Sequence, residues 1–144
     1  MSRAEDFPLV EGHYRMTSDW SIFLPEAFHR RIEEGSLVLW RLGITTWINV
    51  WGNDNDDNAE KRLSRIQADR SSDAFNEIRE EEAGLLRYAY RLREDATDER
   101  AAALYGFAIG VGGHVQIAVY FDTENSLLVA EGLWRSLKEH RDAA

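Results

Sequence analysis

The chain has 144 residues, with 17 Lys or Arg against 26 Asp or Glu, and therefore a formal net charge of −9. This length suits one domain whose core needs no disulfide or metal to fold. The absence of cysteine excludes disulfide frameworks, thiol nucleophiles, zinc ribbons and iron–sulfur sites, and an acidic chain without a basic stripe is a poor nucleic-acid binder.

The N-terminal segment lacks the apolar stretch of a secretory signal peptide. No run of the sequence approaches the roughly 20 apolar residues that span a bilayer, and no cysteine is present to carry a lipid anchor. We therefore expect a cytoplasmic protein without a membrane partner. Residues 1–10 are predicted to form a mobile lead-in, and residues 11–140 a single domain.

Alternation of apolar and polar residues predicts strands through the first third of the chain. Pro25 is expected to end one of these strands or to place it at an edge, and Glu34-Gly35 supplies a turn. Gly43 fits either a tight turn or a bulge within one long strand. The predicted strands cover residues 14–16, 20–24, 28–33, 37–42 and 44–51.

The second part of the chain combines two helices with four strands. A first helix is predicted over residues 59–68, and a last helix follows residues 122–126 with an apolar stripe that includes Trp134. The small residues Gly106 and Ala108 share one strand face, so another element can approach that face closely. The predicted strands cover residues 75–81, 85–93, 101–110 and 114–121.

These elements together predict the fold class. Strands joined by short turns pair antiparallel, and helices at two points of the chain must pack on the faces of the sheet. The sequence therefore predicts an α+β fold with an antiparallel sheet of about six to eight strands and two main helices. The predicted order is β-β-β-(β)-α-β-β-β-β-α.

Three short sequence segments occur at characteristic points in this order of elements. They are Leu24-Pro25 after an opening strand, Gly35–Arg41 (GSLVLWR), and Trp134–Leu137 (WRSL) at the end of the closing helix. Residues 20–137 thereby resemble the PsbP/DcrB-like group of small domains. That group includes bacterial lipoproteins, an oxygen-evolving photosystem subunit, a Ran-binding import factor and chaperones of type VI secretion effectors. The resemblance implies a PsbP-like fold and a non-enzymatic binding or assembly role, and it carries over no catalytic residues.

An acidic loop before the first helix is the most conspicuous local motif. Its carboxylates are candidate calcium ligands, namely Asp54, Asp56 and Asp57. An EF-hand requires glycine at position six and glutamate at position twelve, but counting from the first aspartate these positions hold Ala59 and Arg65. The alternative is a helix N-terminus, since Asp57 and Glu60 have the spacing of a capping box. We favour the cap and keep calcium as the weaker alternative.

Other motifs for catalysis or cofactor binding are missing from the sequence. The four histidines have neither HExxH nor HxH spacing, and the GxSxG nucleophile elbow is absent. The glycines of residues 106–113 precede a strand instead of a helix, which is the wrong context for a phosphate loop. No catalytic residue, metal or cofactor is therefore expected.

Two tryptophans are the best candidates for a binding surface. Trp47 and Trp51 share one face of a predicted strand, where they either pack under a helix or form a partner surface. Arg87 and Arg91 would give this surface an aromatic and cationic character if they lie on the same face. The predicted partner-binding residues are Trp47, Trp51, Arg87 and Arg91.

Three functions remain open at this point. The leading hypothesis is a non-enzymatic protein-binding module, such as an effector-associated chaperone or an immunity-type protein, whose partner is basic by charge complementarity. The first alternative is a small-molecule-binding protein or minor enzyme with a pocket between sheet and helix. The second alternative is a structural subunit of a homodimer, joined through edge strands or through the tryptophan face.

Overall fold

The computed structural model describes residues 7–53 and 57–140. Within these ranges nine strands form one antiparallel sheet, flanked by two α-helices of 11 and 9 residues. The α+β class is confirmed, with more strands than predicted. Neither helix has the length and apolar character that crossing a membrane requires.

The strands follow each other across the sheet in the order β1-β2-β3-β4-β8-β7-β6-β5, and β9 pairs with β2. The helices are α1 (Ala59–Asp69) and α2 (Leu127–Arg135). The strands are β1 (Leu9–Arg15), β2 (Trp20–Glu33), β3 (Ser36–Arg41), β4 (Ile44–Gly52), β5 (Phe75–Glu82), β6 (Leu85–Leu92), β7 (Ala103–Ile109), β8 (Gly113–Phe121) and β9 (Lys138–Glu139).

β2 continues through Pro25, so the prediction that this proline ends a strand is wrong. In the pairing with β1, Val10 lies opposite Phe28 whereas Gly12 lies opposite Leu24, which leaves residues 25–27 in a bulge. Proline has no amide hydrogen to donate, and a bulge demands no ladder bond at that position. The bulge therefore accommodates the proline without ending the strand.

Gly43 belongs to a turn and not to a bulge. Arg41 at the end of β3 pairs with Ile44 at the start of β4, and Gly43 between them has φ +83°. The hairpins at Glu34-Gly35 and Ala83-Gly84 have positive φ at both central residues. This combination is typical of the turns whose twist matches that of paired strands.

α2 packs on one face of the sheet and encloses the larger core. Trp134 is completely buried there, and its indole Nε1–H donates to the Phe107 carbonyl at 3.0 Å. A Cβ atom on Gly106 would lie only 2.5 Å from Trp134 Cδ1. The small residue in β7 therefore permits the close approach of this helix, as the sequence predicts. The inward-facing residues of β8 are Val115, Ile117, Val119 and Phe121.

α1 covers part of the opposite face. Leu63 is its only fully buried residue, and Ala59 and Ile66 pack beside it against the sheet. The helix begins at Asn58, whose side-chain oxygen accepts the Lys61 amide at 2.8 Å. The predicted capping box from Asp57 is therefore misplaced by one residue. The sheet residues under this helix are mainly aromatic, namely Tyr88, Tyr90, Tyr105 and Phe107.

Candidate functional site

The four residues of the predicted patch lie on two faces of the sheet. Through the pairings of β4, β8, β7 and β6, Trp47 lies in one cross-strand row with Tyr90, on the side of α1. Arg87 and Arg91 occupy the alternate positions of β6 and point to the side of α2. The prediction that the four residues share one patch is therefore wrong. Successive residues of a strand point to opposite faces of the sheet, so a shift of one residue in register moves a side chain from one face to the other.

Arg91 is a buried structural clamp with 5% of its surface exposed. Its Nη2 and Nε donate to the Ala102 carbonyl at 2.9 and 3.2 Å, and its Nη1 donates to Glu124 at 3.1 Å. The guanidinium carbon also lies 5.5 Å from the centre of the Phe121 ring. These contacts tie β6 to the segments that precede β7 and α2, and they lower the pKa of the Glu124 carboxyl.

Arg87 is nearly as buried, with 7% exposed, but it has weaker partners. Its Nη1 lies 3.3 Å from Glu82, and its Nη2 lies 3.4 Å from the Leu137 carbonyl oxygen. Charge-assisted hydrogen bonds are usually about 2.7–2.9 Å long. Its Nε is buried and has no hydrogen-bond partner among the described residues. Arg87 is therefore an under-coordinated buried cation.

The face that carries the two tryptophans contains a groove between α1 and the sheet, called here the α1 groove. Its volume is about 470 Å³, within the size range of small-molecule sites. Aromatic and polar residues of the sheet form the floor, and Trp51 lies at one side with 44% of its surface exposed. The floor consists of Tyr90, Phe107, His114 and Gln116.

Arginines from α1 and its C-terminal end form the wall of the groove. Arg62, Arg65 and Asp69 are spaced by three and four residues, which places them on one side of the helix. Arg65 forms an ion pair with Asp57, and Arg70 lies 2.9 Å from Glu77. Arg62 instead donates to neutral groups, and it has no carboxylate partner among the described residues. Among the described residues, the wall therefore carries one guanidinium, that of Arg62, without a carboxylate partner.

His114 connects the wall of the groove to its floor. Arg62 Nη1 and His114 Nδ1 are 2.6 Å apart, and the imidazole stacks on Trp51 with ring centres 5.0 Å apart. Burial, with the positive charge of Arg62, lowers the pKa of His114 to about 4. The ring is neutral at pH 7, and because Nδ1 accepts from the guanidinium, its proton is on Nε2. His114 thus offers a hydrogen-bond donor on its other side.

Two further polar groups of the floor are uncommitted. Tyr90 is only 6% exposed, and burial raises the pKa of its phenol, which stays protonated. Neither its hydroxyl nor the side-chain amide of Gln116 makes a hydrogen bond within residues 7–53 and 57–140. Gln116 is half-buried, and both groups line the groove, where they can hydrogen-bond to a ligand.

Of the three candidate calcium ligands, Asp57 is the one among the described residues, and it does not line the groove. Asp54 and Asp56 lie outside the described residues. Asp57 pairs with Arg65 and lies 3.6 Å from Lys61, and its amide donates to the Asn53 side chain at 2.9 Å. In the part of the chain that the structure describes, no cluster of three or more His, Asp or Glu residues could hold a metal ion.

Comparisons with known proteins found no match. No protein-family model matches the chain, and no curated protein or solved structure is significantly similar to it. The resemblance to PsbP/DcrB-like domains therefore stays a prediction.

The groove residues do not stand out in the sequence. Arg62 and Arg65 could have been noticed, because they flank the apolar stripe of α1 and give an acidic chain one basic helix face. His114 and Gln116 are alternate residues of a strand, and no local pattern distinguishes them from surface residues. Their meeting with α1 depends on where that helix crosses the sheet.

Proposed function

We propose that the protein binds a small organic anion with a planar ring in the α1 groove. This is the small-molecule alternative among the three functions that the sequence leaves open. The observation that carries the proposal is the arginine wall facing an aromatic floor across a cavity of about 470 Å³. We propose binding alone, without a catalytic role for any residue of the groove.

The positive wall supports an anionic ligand. Arg62, Arg65 and Arg70 line the groove against one carboxylate, Asp69, although the whole chain has a net charge of −9. A concave site with low-dielectric walls concentrates the field of its own charges. Guanidinium groups bind carboxylate and phosphate oxygens with two parallel hydrogen bonds. A ligand with either group would complete the coordination of Arg62.

The aromatic lining supports a planar ring. Trp51 already stacks on His114 with an angle of 18° between the rings, and 44% of its surface is exposed. A planar ligand can extend such a stack and gain burial together with favourable ring contacts. The uncommitted donors and acceptors of Tyr90 and Gln116 would then select among rings, because a buried polar group left without its partner penalises binding.

Thermal unfolding with charged and uncharged probes tests the proposal. The pairs are adenosine monophosphate with adenosine, and indole-3-carboxylate with indole, so that phosphate and carboxylate sources are distinguished. We expect an anionic member to raise the melting temperature by an amount that grows with the logarithm of its concentration above the dissociation constant, and its neutral partner to raise it less.

Two variants locate the binding. Arg62→Gln should remove most of the shift caused by the anionic probe. Arg41→Gln is the matched control, since Arg41 lies outside the groove and pairs with Glu26 at 2.8 Å. The proposal fails if no anionic probe stabilises the protein, if the neutral probes stabilise it equally, or if the two variants respond alike.

The other functions expected from the sequence stay predictions. They are the protein-binding module, as an effector-associated chaperone or immunity-type protein, and the structural homodimer. Affinity capture from lysate at low and high salt tests the first, and light scattering tests the second. The PsbP-like fold, the cytoplasmic location and the lack of a nucleic-acid partner are likewise proposed and untested.

A further inference from the structure

A second cavity lies on the opposite side of the sheet from the α1 groove. It is bounded by the turn between β5 and β6, by the end of α2 with the residues that follow it, and by the turn between β7 and β8. Its volume is about 540 Å³, and Arg87 lines it. We call it the Arg87 pocket.

The coordination of Arg87 is incomplete for a cation in this position. Removing a guanidinium from water costs several kcal/mol, which short hydrogen bonds to a counter-ion normally offset. Here the bonds measure 3.3 and 3.4 Å, the one carboxylate partner is Glu82 with 74% of its side chain exposed, and Nε has no partner among the described residues. Arg91, on the same strand and the same face, has shorter bonds to both of its partners.

The acidic residues around the pocket neutralise Arg87 only weakly. Arg135 is neutralised by Glu80, so the cations left in the lining are Arg87 and Lys138, and the acidic residues are Glu82 and Glu139. Arg135 is held by Glu80 through a bond of 2.9 Å. Glu139 accepts the amides of the β7–β8 turn at 3.0 and 3.3 Å. Lys138 is exposed and has no partner in the described part of the chain.

The remaining side chains of the lining are apolar, apart from Ser136. Leu85 and Leu137 are buried residues of the core that reach its wall, and Val111 is exposed at the β7–β8 turn. Val111 is 63% exposed, so a ligand that covers it gains free energy from the apolar surface it removes from water, whereas Leu85 and Leu137 are already 7% and 0% exposed. The combination of a weakly paired buried guanidinium with exposed apolar surface at Val111 indicates an amphiphilic carboxylate.

We propose that the Arg87 pocket binds a monocarboxylate with an aliphatic tail, its carboxylate held by Arg87 and Lys138 and its tail lying against Val111. A free short-chain carboxylic acid and the C-terminal carboxylate of a peptide ending in leucine share this chemistry. The site is separate from the α1 groove and does not depend on the function proposed for that groove.

Titration of the ¹⁵N-labelled protein by NMR tests this inference. The probes are hexanoate with its neutral analogue hexanamide, and the peptide Ala-Ala-Leu with its C-terminal amide. We expect saturable shifts of the Arg87 Nε–H signal and of the Val111 and Leu137 amides, with a dissociation constant of about 1 mM or lower. Each neutral analogue should bind at least about tenfold more weakly. If only hexanoate or only the peptide binds, the result shows whether the ligand is a free carboxylic acid or the C-terminus of a peptide.

Variants assign the shifts to Arg87. Arg87→Met keeps the length of the side chain and should abolish saturation, whereas Arg41→Met, remote from the pocket, should leave it unchanged. Lys138→Met alters an exposed residue and should weaken binding about threefold, which keeps the test valid if Arg87→Met fails to fold. Arg62→Gln should have no effect, which distinguishes this site from the α1 groove.

Three results would each overturn the inference: no saturable shift up to about 10 mM probe, equal binding of the acid and amide forms, or undiminished binding by folded Arg87→Met.

Discussion

The two faces of the sheet differ in how completely a helix covers them. On the α2 face, Trp134 lies directly over Gly106, and the side chains from β8 and β7 beneath it are fully buried. On the α1 face, a helix with one fully buried residue, Leu63, leaves the α1 groove beside it. Alternate residues of the same strands supply both surfaces, so the sheet itself is not the source of the difference.

The side chains under the two helices differ in size. Glycine and alanine in β7 let α2 approach the sheet closely. Tyrosines and a phenylalanine occupy the same strands on the other face, where Leu63, Ala59 and Ile66 of α1 pack against them. The α2 face should therefore contribute more to stability than the α1 face.

Truncation of the tryptophans gives the largest expected contrast. Trp134→Ala should lower the free energy of unfolding by about 3–5 kcal/mol, because it leaves a cavity in a close-packed core and removes the bond to Phe107. Trp47→Ala, at a half-buried position, should cost about 1–2 kcal/mol. Urea denaturation measures both values. Equal losses of unfolding free energy in the two variants would show that Trp47 is also a core residue.

The two buried arginines of β6, Arg87 and Arg91, allow two positions on the α2 face to be compared. Arg91→Met should lower the free energy of unfolding by about 2 kcal/mol, because the buried Ala102 carbonyl loses its donors. Arg87→Met should change it by less than about 1 kcal/mol, since the loss of long hydrogen bonds is offset by the relief of a buried charge. Denaturant titration of both variants tests this. A larger cost at Arg87 would contradict its description as under-coordinated.

The pH dependence of stability reports on His114. Its pKa is about 4 in the folded protein against 6.5 for an unperturbed histidine, so between these values the unfolded chain binds more protons. The stabilisation that the neutral His114 side chain gives to the folded state is complete above pH 6.5 and is lost as the pH falls toward 4. The loss should be about 1 kcal/mol, since partial exposure to water weakens the effect. Thermal unfolding at several pH values should show it, and His114→Gln should lack it. Identical pH profiles for the two proteins would exclude a neutral buried histidine.

The smallest effect on stability is expected at the floor of the α1 groove. Tyr90→Phe should change the free energy of unfolding by less than about 0.5 kcal/mol, because the hydroxyl has no hydrogen-bond partner among the described residues. The same change should weaken any anionic probe that bonds this hydroxyl. Thermal unfolding with and without the probe separates the two effects. A large loss of stability in the absence of a probe would assign the hydroxyl to the fold.

Local patterns in the sequence determined most of the secondary structure. The alternation in β8 assigns Val115, Ile117, Val119 and Phe121 to the core, and the spacing of Ala59, Leu63 and Ile66 gives the buried side of α1. These predictions hold because each depends on a period of two or 3.6 residues within one element. The close approach of a helix to the small face of β7 could be predicted for the same reason.

The tertiary structure alone decided how separate elements meet. Pro25 lies in a continuous strand because of a bulge against β1, and Arg87 lies on the face opposite Trp47 because of the register across four strands. In the α1 groove, Arg62 and His114, 52 positions apart, come within 2.6 Å of each other. Register and helix placement depend on contacts between residues far apart in the chain, and no local period encodes them.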